Sequence, residues 1–317
     1  MPATGRTLEV ALDGGGQFTS IQEAIDQAVP GDTVHIRPGE YAEDVTIHSK
    51  DRIRLIGDGV DRVIIRGRNR VGAFHIGKWP YGATNVTISG ITVLQHGGLA
   101  LGIFNGRGIV LHNVTVNGLL FGQQVNDVRI EHCTLGGSET TGVQFADSQA
   151  VLQGNFIHDN DHGVTIAGKS EVRLERNVIT GNLFEGIVVK DDARAVLVSN
   201  TIVKNGGGVA FLGRSHSEVS GNIIGLNKTG FLIAPTSSAT FAYNGLYNSE
   251  ENYRTSGPPE RPAPELRTVS DVTVDPRFVD PAGGDFRLRT DTPMVKIGEF
   301  PYLGALPPMT NSQSSSP

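Results

Sequence analysis

The residue types most able to do chemistry recur at one point of a repeating pattern. Five and six positions after a recurrent glycine stand Asp147, Asp191 and, one place on, Ser148, Lys169, Asp192, Arg214 and Thr236. If each repeat is one layer of a stack, Lys169, Asp192 and Arg214 fall on consecutive layers ~4.8 Å apart. Two cations flanking Asp192 would hold it ionised, which makes it a poor general acid but a good partner in an anion-binding surface. Lys169 or Lys190 would then be the candidate base of a lyase. Asp147 and Asp191 lie two layers apart, so their backbones stand ~10 Å from each other, near the upper end for the carboxylate pair of an inverting glycosidase. The alternative is a salt-bridged surface ladder of little energetic weight.

Other candidates lie nearby. His158-Asp159-Asn160-Asp161-His162 places metal-ligand types in one turn, and Asp159 and Asp161 offer the hard oxygens that calcium prefers. The alternative is a hydrated turn. Trp79 and Tyr81, in Lys78-Trp-Pro-Tyr81, could stack on sugar rings or pack as a lid. Strand alternation turns Gln144, Thr165, Val188, Ala210 and Leu232 outward, giving two polar substrate-binding candidates, Gln144 and Thr165, and then an apolar strip. Such a strip must be covered, by the excursion at 249–274 or by a second copy of the chain.

The elements that position these residues come from an internal repeat. Asn113, Cys133, Asn155, Asn177, Asn200, Asn222 and Asn244 align at steps of 20, 22, 22, 23, 22 and 22, each opening a short apolar strand. Gly90 extends the same column. A second set, Asn117, Asn160, Asn182, Asn205, Asn227 and Asn248, follows four or five residues later. Between the sets run Gly142-Val-Gln-Phe, Gly163-Val-Thr-Ile, Gly186-Ile-Val-Val, Gly208-Val-Ala-Phe and Gly230-Phe-Leu-Ile. Three short strands every ~22 residues cannot pair within one layer, so each pairs with its equivalent above and below. This predicts an all-β, single-stranded right-handed parallel β-helix of ~10–11 coils over residues 1–304, with stacked asparagine amides as architecture. An amphipathic helix at about 19–29, with Ser20 and Glu23 as a capping box, covers the front. A proline-rich excursion at 249–274 interrupts the period, and residues 305–317 read as a disordered tail.

Gly14-Gly-Gly-Gln-Phe-Thr-Ser-Ile-Gln-Glu-Ala-Ile, Gly31-Asp-Thr-Val-His-Ile-Arg-Pro-Gly-Glu-Tyr and Ile53-Arg-Leu-Ile-Gly-Asp-Gly resemble the entry to pectin-lyase-like β-helix proteins, pectinesterases among them. Asp275-Pro-Arg-Phe-Val-Asp-Pro-Ala-Gly-Gly-Asp-Phe-Arg-Leu resembles the closing segment of right-handed β-helix repeat proteins of the carbohydrate-binding and sugar-hydrolase type. The resemblance implies the fold and a polysaccharide partner. Signature residues of pectinesterases, pectate lyases and polygalacturonases do not carry over to matching positions, so no one enzyme family's catalytic set is implied.

Composition narrows the field. A formal charge of -6 with scattered lysines and arginines leaves no basic footprint for nucleic acid. Apolar runs are too short to span a bilayer. One cysteine, Cys133, excludes an intramolecular disulfide framework. The first residues carry no apolar leader, which fits either a cytoplasmic protein or an extracellular or periplasmic one read without its leader. Three readings follow: a lyase or hydrolase acting on an acidic, pectate- or alginate-like glycan; a non-catalytic glycan-binding module; or a protein scaffold, possible as a homo-oligomer through the apolar strip. Calcium is the one cofactor the residues suggest.

Overall fold

The computed structural model describes residues 5–68, 72–78, 80–257, 261–262 and 267–310. Parallel strands stack into a right-handed solenoid with three faces. The first face is an eleven-stranded sheet running from Thr7–Val10 to Ser238–Ala242. The second is built of three-residue strands such as Phe156–His158, Val178–Thr180, Thr201–Val203 and Ile223–Gly225. The third contains Thr141–Ala146, His162–Ala167, Glu185–Val189, Gly207–Phe211, Thr229–Ile233 and Glu251–Thr255. In the earlier coils the second and third faces merge into single long strands, Thr92–Phe104 and Thr115–Gln123. The inward column is apolar and sealed, from Val34 and Leu55 at the front to Phe211 and Phe231 at the back.

The asparagine columns hold the corners. Asn155, Asn177, Asn200, Asn222 and Asn244 each donate Nδ2 to a first-face carbonyl, and each Oδ1 accepts from the coil before. Asn160, Asn182, Asn205, Asn227 and Asn248 likewise accept from the coil before at the next corner. Cys133 occupies a rung as its thiol donates to Leu111 O and Glu131 O, while its N–H donates to Asn155 Oδ1 at 2.9 Å. Asn113 does not join this column. Thr115 pairs with Thr134, which puts Val114 opposite Cys133 and moves Asn113 into the turn before the rung. There it shares a left-handed backbone with Gly90 and His132 (φ 51°, 67° and 53°).

The helix is shorter than its sequence pattern, Ile21–Gln27, with Ser20 as N-cap accepting from Glu23 N. Glu43 on the next coil completes the cap. Its carboxylate accepts from Ile21 N, Gln22 N and Ser20 Oγ at 2.9, 3.2 and 2.8 Å, so first-turn N–H groups are met from outside the helix.

At the other end the chain folds back. After the strand Glu251–Thr255, Arg261–Pro262 pairs antiparallel with it. Asp271-Val272 then closes the last coil, and two hairpins follow, Phe278–Asp280 with Asp285–Leu288 and Val295–Ile297 with Phe300–Tyr302. Their Phe278, Phe286, Leu288, Met294 and Leu303 make a second core against Val178, Val203 and Ile223, which point out from the second face. The cover expected over the third face therefore lies over the second, and it is built by residues beyond the excursion. Residues 305–310 belong to it: Ala305 N donates to Thr201 Oγ1, and Met309 N to Leu288 O.

Candidate functional site

The turn that leaves the third face carries Asp147, Gly168, Asp191 and Gly213 in one column, all left-handed (φ 50°, 66°, 64° and 67°). Asp and Gly suit that backbone, and here the aspartates also serve it. Asp147 Oδ1 accepts from Lys169 N at 2.9 Å, and Asp191 Oδ2 accepts from Gly168 N at 3.0 Å. The two carboxylates thus converge from opposite sides on consecutive amides of one turn, instead of facing each other across an open gap. Ser148 is not in the charged column. It stacks on Ser170, whose hydroxyl accepts from Ser148 N at 3.1 Å, because the Lys169 coil has one more turn residue.

Asp192 and Arg214 form a bidentate pair, Nε to Oδ1 at 2.7 Å and Nη2 to Oδ2 at 2.9 Å. The guanidinium holds the Asp192 carboxyl below its ordinary range, with Lys169 adding to the effect. Lys169 and Lys190 have no ion-pair partner among the described residues. The edge of the third face therefore presents one neutralised pair, two unpaired cations and two carboxylates already bonded to backbone.

The third face itself has an outward column of Thr141, His162, Glu185, Gly207, Thr229 and Glu251. Gly207 leaves a gap in it. A cleft of about 250 Å³ opens there, floored by Gly206, Gly207, Gly208 and Gly230 and walled by Leu183, Phe184, Glu185, Lys228 and Arg254. Leu183 and Phe184 are exposed apolar side chains on its rim. Phe184 rests on the His162 ring, 5.2 Å between centroids. His162 Nδ1 lies 3.2 Å from Glu185 Oε2, within ion-pair reach though off the line of a good hydrogen bond. This contact keeps the half-buried Glu185 carboxyl below its ordinary range although burial pushes it up. On the far wall Lys228 and Arg254 pair with Glu250, and Arg254 also with Glu251.

The other sequence candidates scatter. Thr165 is buried and its hydroxyl faces Thr141 Oγ1 at 3.4 Å, so it is not a surface group. Gln144 is half-buried. Val188 and Ala210 are 7% and 1% exposed and Leu232 is half-buried, so most of the strip read as an exposed apolar surface is not presented to solvent. Tyr81 is 65% exposed, in a tight turn where Lys78 N donates to Tyr81 O at 2.7 Å, and Trp79 lies outside the described residues. Asp159 pairs with His158 Nδ1 at 2.8 Å, and Asp161 sits in the same corner. Among the described residues no three His, Cys, Asp or Glu side chains gather as a metal would require. The cleft residues Phe184, Glu185, Lys228 and Arg254 escaped sequence reading. The signal for them was the triplet Gly206-Gly207-Gly208, which deletes a side chain from an otherwise filled column.

A second imidazole cluster stands on the first face, where His112 and His132 lie on adjacent coils with ring centroids 5.5 Å apart and planes at 84°.

Comparison with known proteins agrees with the architecture. Residues 7–106 match the pectinesterase family model. The chain is 33% identical over 96 residues to probable pectinesterase/pectinesterase inhibitor 17 of Arabidopsis thaliana, covering 30% of this chain and 17% of that protein. The chain thus spans about a sixth of that relative's length. Among solved structures, pectate lyase Pel9A superposes with a TM-score of 0.54 at 13% identity, over 97% of both chains. The A-module of mannuronan C-5 epimerase AlgE6 from Azotobacter vinelandii gives 0.52 at 17% identity, over 81% of this chain and 94% of that one. Likeness at such identities establishes the pectin-lyase-like parallel β-helix fold and nothing finer. Residues 82–261, more than half of the chain, match the family model described as "Periplasmic copper-binding protein (NosD)", and the protein belongs to that family.

Proposed function

We propose that this protein is a polysaccharide-active β-helix protein that holds an acidic glycan across its third face, with the cleft beside Gly207 as a sugar-ring subsite. The observation that carries the reading is that cleft: a glycine floor that admits a ring, the Phe184 face to stack on it, and Glu185, Lys228 and Arg254 to meet hydroxyl or carboxylate groups. The unpaired Lys169 and Lys190 at the edge of the same face supply attraction for uronate carboxylates. Pectinesterase, pectate lyase and mannuronan epimerase names among the similar proteins support a polyuronate as the substrate class. The finer reading is cleavage by a lyase or hydrolase, with Lys190 or Lys169 as base and Asp191, Asp192, Asp147 and Arg214 positioning the chain. Incubation with pectate and with alginate, read by absorbance of unsaturated products and by reducing ends, tests cleavage. Gel retardation in the same polymers tests binding. Retardation that Phe184→Ala abolishes supports the reading. No retardation and no product in either polymer overturns it.

A second reading rests on the family description, which names copper. Neither Cys133 nor Met294 fits it as a soft donor. Cys133 is buried with its thiol pushed up to about 11 by burial, and Met294 is sealed in the hairpin core. Imidazole donors fit in one place, the exposed His112–His132 pair, because copper(II) takes nitrogen and oxygen ligands. Those two residues alone would hold the ion, since no third His, Cys, Asp or Glu gathers with them among the described residues.

A further inference from the structure

We propose that a groove between the second-face corner and the tip of the first hairpin is a further uronate subsite, with the Tyr247 ring as its platform and Lys204 as its cation. The inference rests on the glycan reading and extends it: a chain seated in the third-face cleft continues over the corner into this groove.

The groove encloses about 640 Å³ between Pro281-Ala282 at the hairpin tip and the corners that carry Lys204, Leu226 and Ser249. Its platform comes from the second-face column, where Val203, Gly225 and Tyr247 follow one another on successive coils. Val203 is sealed under the hairpin cover, and Gly225 contributes no side chain. Tyr247 is then 43% exposed, and its hydroxyl has no hydrogen-bond partner among the described residues. A ring held this way offers an apolar face to the C–H side of a sugar and a free hydroxyl at the rim. The charge comes from Lys204. Its Nζ donates to Pro281 O at 2.9 Å, which fixes the ammonium at the groove and uses one of its three donors. No carboxylate pairs with it among the described residues, so the cation is positioned without being neutralised. The Ser249 hydroxyl donates to Asn227 O at 3.3 Å and keeps its lone pairs for a sugar hydroxyl.

Groove and cleft meet at one corner. Leu226 lines the groove and Lys228 walls the cleft, two residues apart, which is at most ~7 Å of chain. The next coil repeats the relation, with Ser249 at the groove and Arg254 at the cleft. A glycan lying on the glycine floor therefore reaches Tyr247 by crossing the corner at Asn227. Lysines without ion-pair partners then bracket it, Lys190 at the far edge of the third face and Lys204 in the groove. Two separated cations with an aromatic platform beside each end of the corner, Phe184 in the cleft and Tyr247 in the groove, suit a chain that carries a carboxylate on every ring. An apolar or neutral ligand would use the rings and leave Lys204 unanswered.

The test is calorimetric titration of the full chain with oligogalacturonates and with oligomannuronates, each from dimer to octamer. Affinity should rise with length as the chain comes to span both subsites, and then level off. Tyr247→Ala should lower affinity for the long members ~3- to 10-fold and leave the shortest member that binds unchanged, while Tyr247→Phe keeps most of the gain. Lys204→Ala should cost the long members ~10-fold at low salt. Lys204 also holds the hairpin tip, so melting curves accompany that variant, and Tyr247→Ala, which removes no hydrogen bond to the rest of the described chain, decides the matter. Binding that Phe184→Ala weakens but Tyr247→Ala leaves intact at every length overturns the subsite and leaves the cleft standing. Equal losses at every length in Tyr247→Ala also overturn it, since a subsite beyond the corner is felt by long chains alone. No binding of either series by the parent chain overturns the subsite together with the glycan reading.

Discussion

Asp271 takes the place of an asparagine beneath Asn244: its Oδ1 accepts from the Asn244 main-chain N–H at 2.9 Å and from Nδ2 at 3.3 Å. The other carboxylate oxygen accepts from the buried Tyr253 hydroxyl. Burial and that carboxylate together push the tyrosine hydroxyl well above its ordinary range. A stack of amides that donate downward needs a last acceptor, and a carboxylate supplies it without leaving a donor unpaired. Asp271→Ala strands the Asn244 and Tyr253 donors at ~1–3 kcal/mol each, enough to lower the denaturation midpoint clearly. Asp271→Asn restores an acceptor for Asn244 and should recover most of the loss. Equal midpoints for the parent chain and the alanine variant in urea would contradict the capping role.

The front coils should weaken as pH rises. His35 Nδ1 lies 2.9 Å from Glu9 Oε2, and Nε2 lies 2.9 Å from Asp58 Oδ1. Partial burial pushes the imidazole down, but hydrogen bonds to Asp58 and Glu9 outweigh it and the net shift is upward. Arg37, also on Glu9, is the nearby cation that opposes this. A folded value above the unfolded one, ~6.5, means that the stabilisation is whole below that pH. It is lost as pH climbs through the raised folded value. Hydrogen exchange of Val34 and Ile36 should therefore quicken between about pH 6 and pH 8 beyond the intrinsic base-catalysed rise, and His35→Gln should remove the excess. An excess that persists in the variant would rule His35 out.

Whatever repeats was legible in the sequence. The rung spacing from Asn155 to Asn244 and the alternation of each strand carry the fold, because each coil must satisfy the same corner and bury the same side. Features that occur once were hidden. Asp271 closes the column from 27 residues beyond Asn244, across a stretch of prolines that breaks the count. The hairpin cover was invisible because Val178, Val203 and Ile223 alternate like any strand residue, and only the fold-back explains their burial. Asn113 slipped by one place because its coil is shorter than the rest. The cleft arises from a missing side chain at Gly207, and residue types that suggest chemistry do not flag an absence.

Acidic-glycan binding should depend on the unpaired lysines more than on the neutralised pair. Lys169→Ala combined with Lys190→Ala removes two cations that have no ion-pair partner among the described residues. Affinity for oligogalacturonate should fall several-fold, and its dependence on salt should flatten. Arg214→Ala frees the Asp192 carboxylate from its bidentate partner, adding negative charge at the same edge, so it should also weaken binding. Being an exposed pair, it should leave the thermal midpoint unchanged. Retained affinity in the double lysine variant at low salt would move the glycan off this edge.

Cys133 should accept replacement by asparagine. It stands where a rung amide belongs, and its N–H already donates to Asn155 Oδ1. The thiol makes only long contacts to Leu111 O and Glu131 O, at 3.6 and 3.3 Å. An asparagine side chain here would bring a true amide donor to the Leu111 carbonyl, as Asn155 does to Ile130 O at 2.8 Å one coil later. A buried amide bond of this kind contributes ~1 kcal/mol, against little for a thiol. Cys133→Asn should therefore keep or raise the melting temperature, whereas Cys133→Leu, which offers no donor, should lower it. The parent thiol, buried and pushed up to about 11, should resist disulfide reagents at neutral pH until the chain unfolds. A Cys133→Asn variant that melts below Cys133→Leu would show that packing at this corner, and not the column of amides, sets its stability.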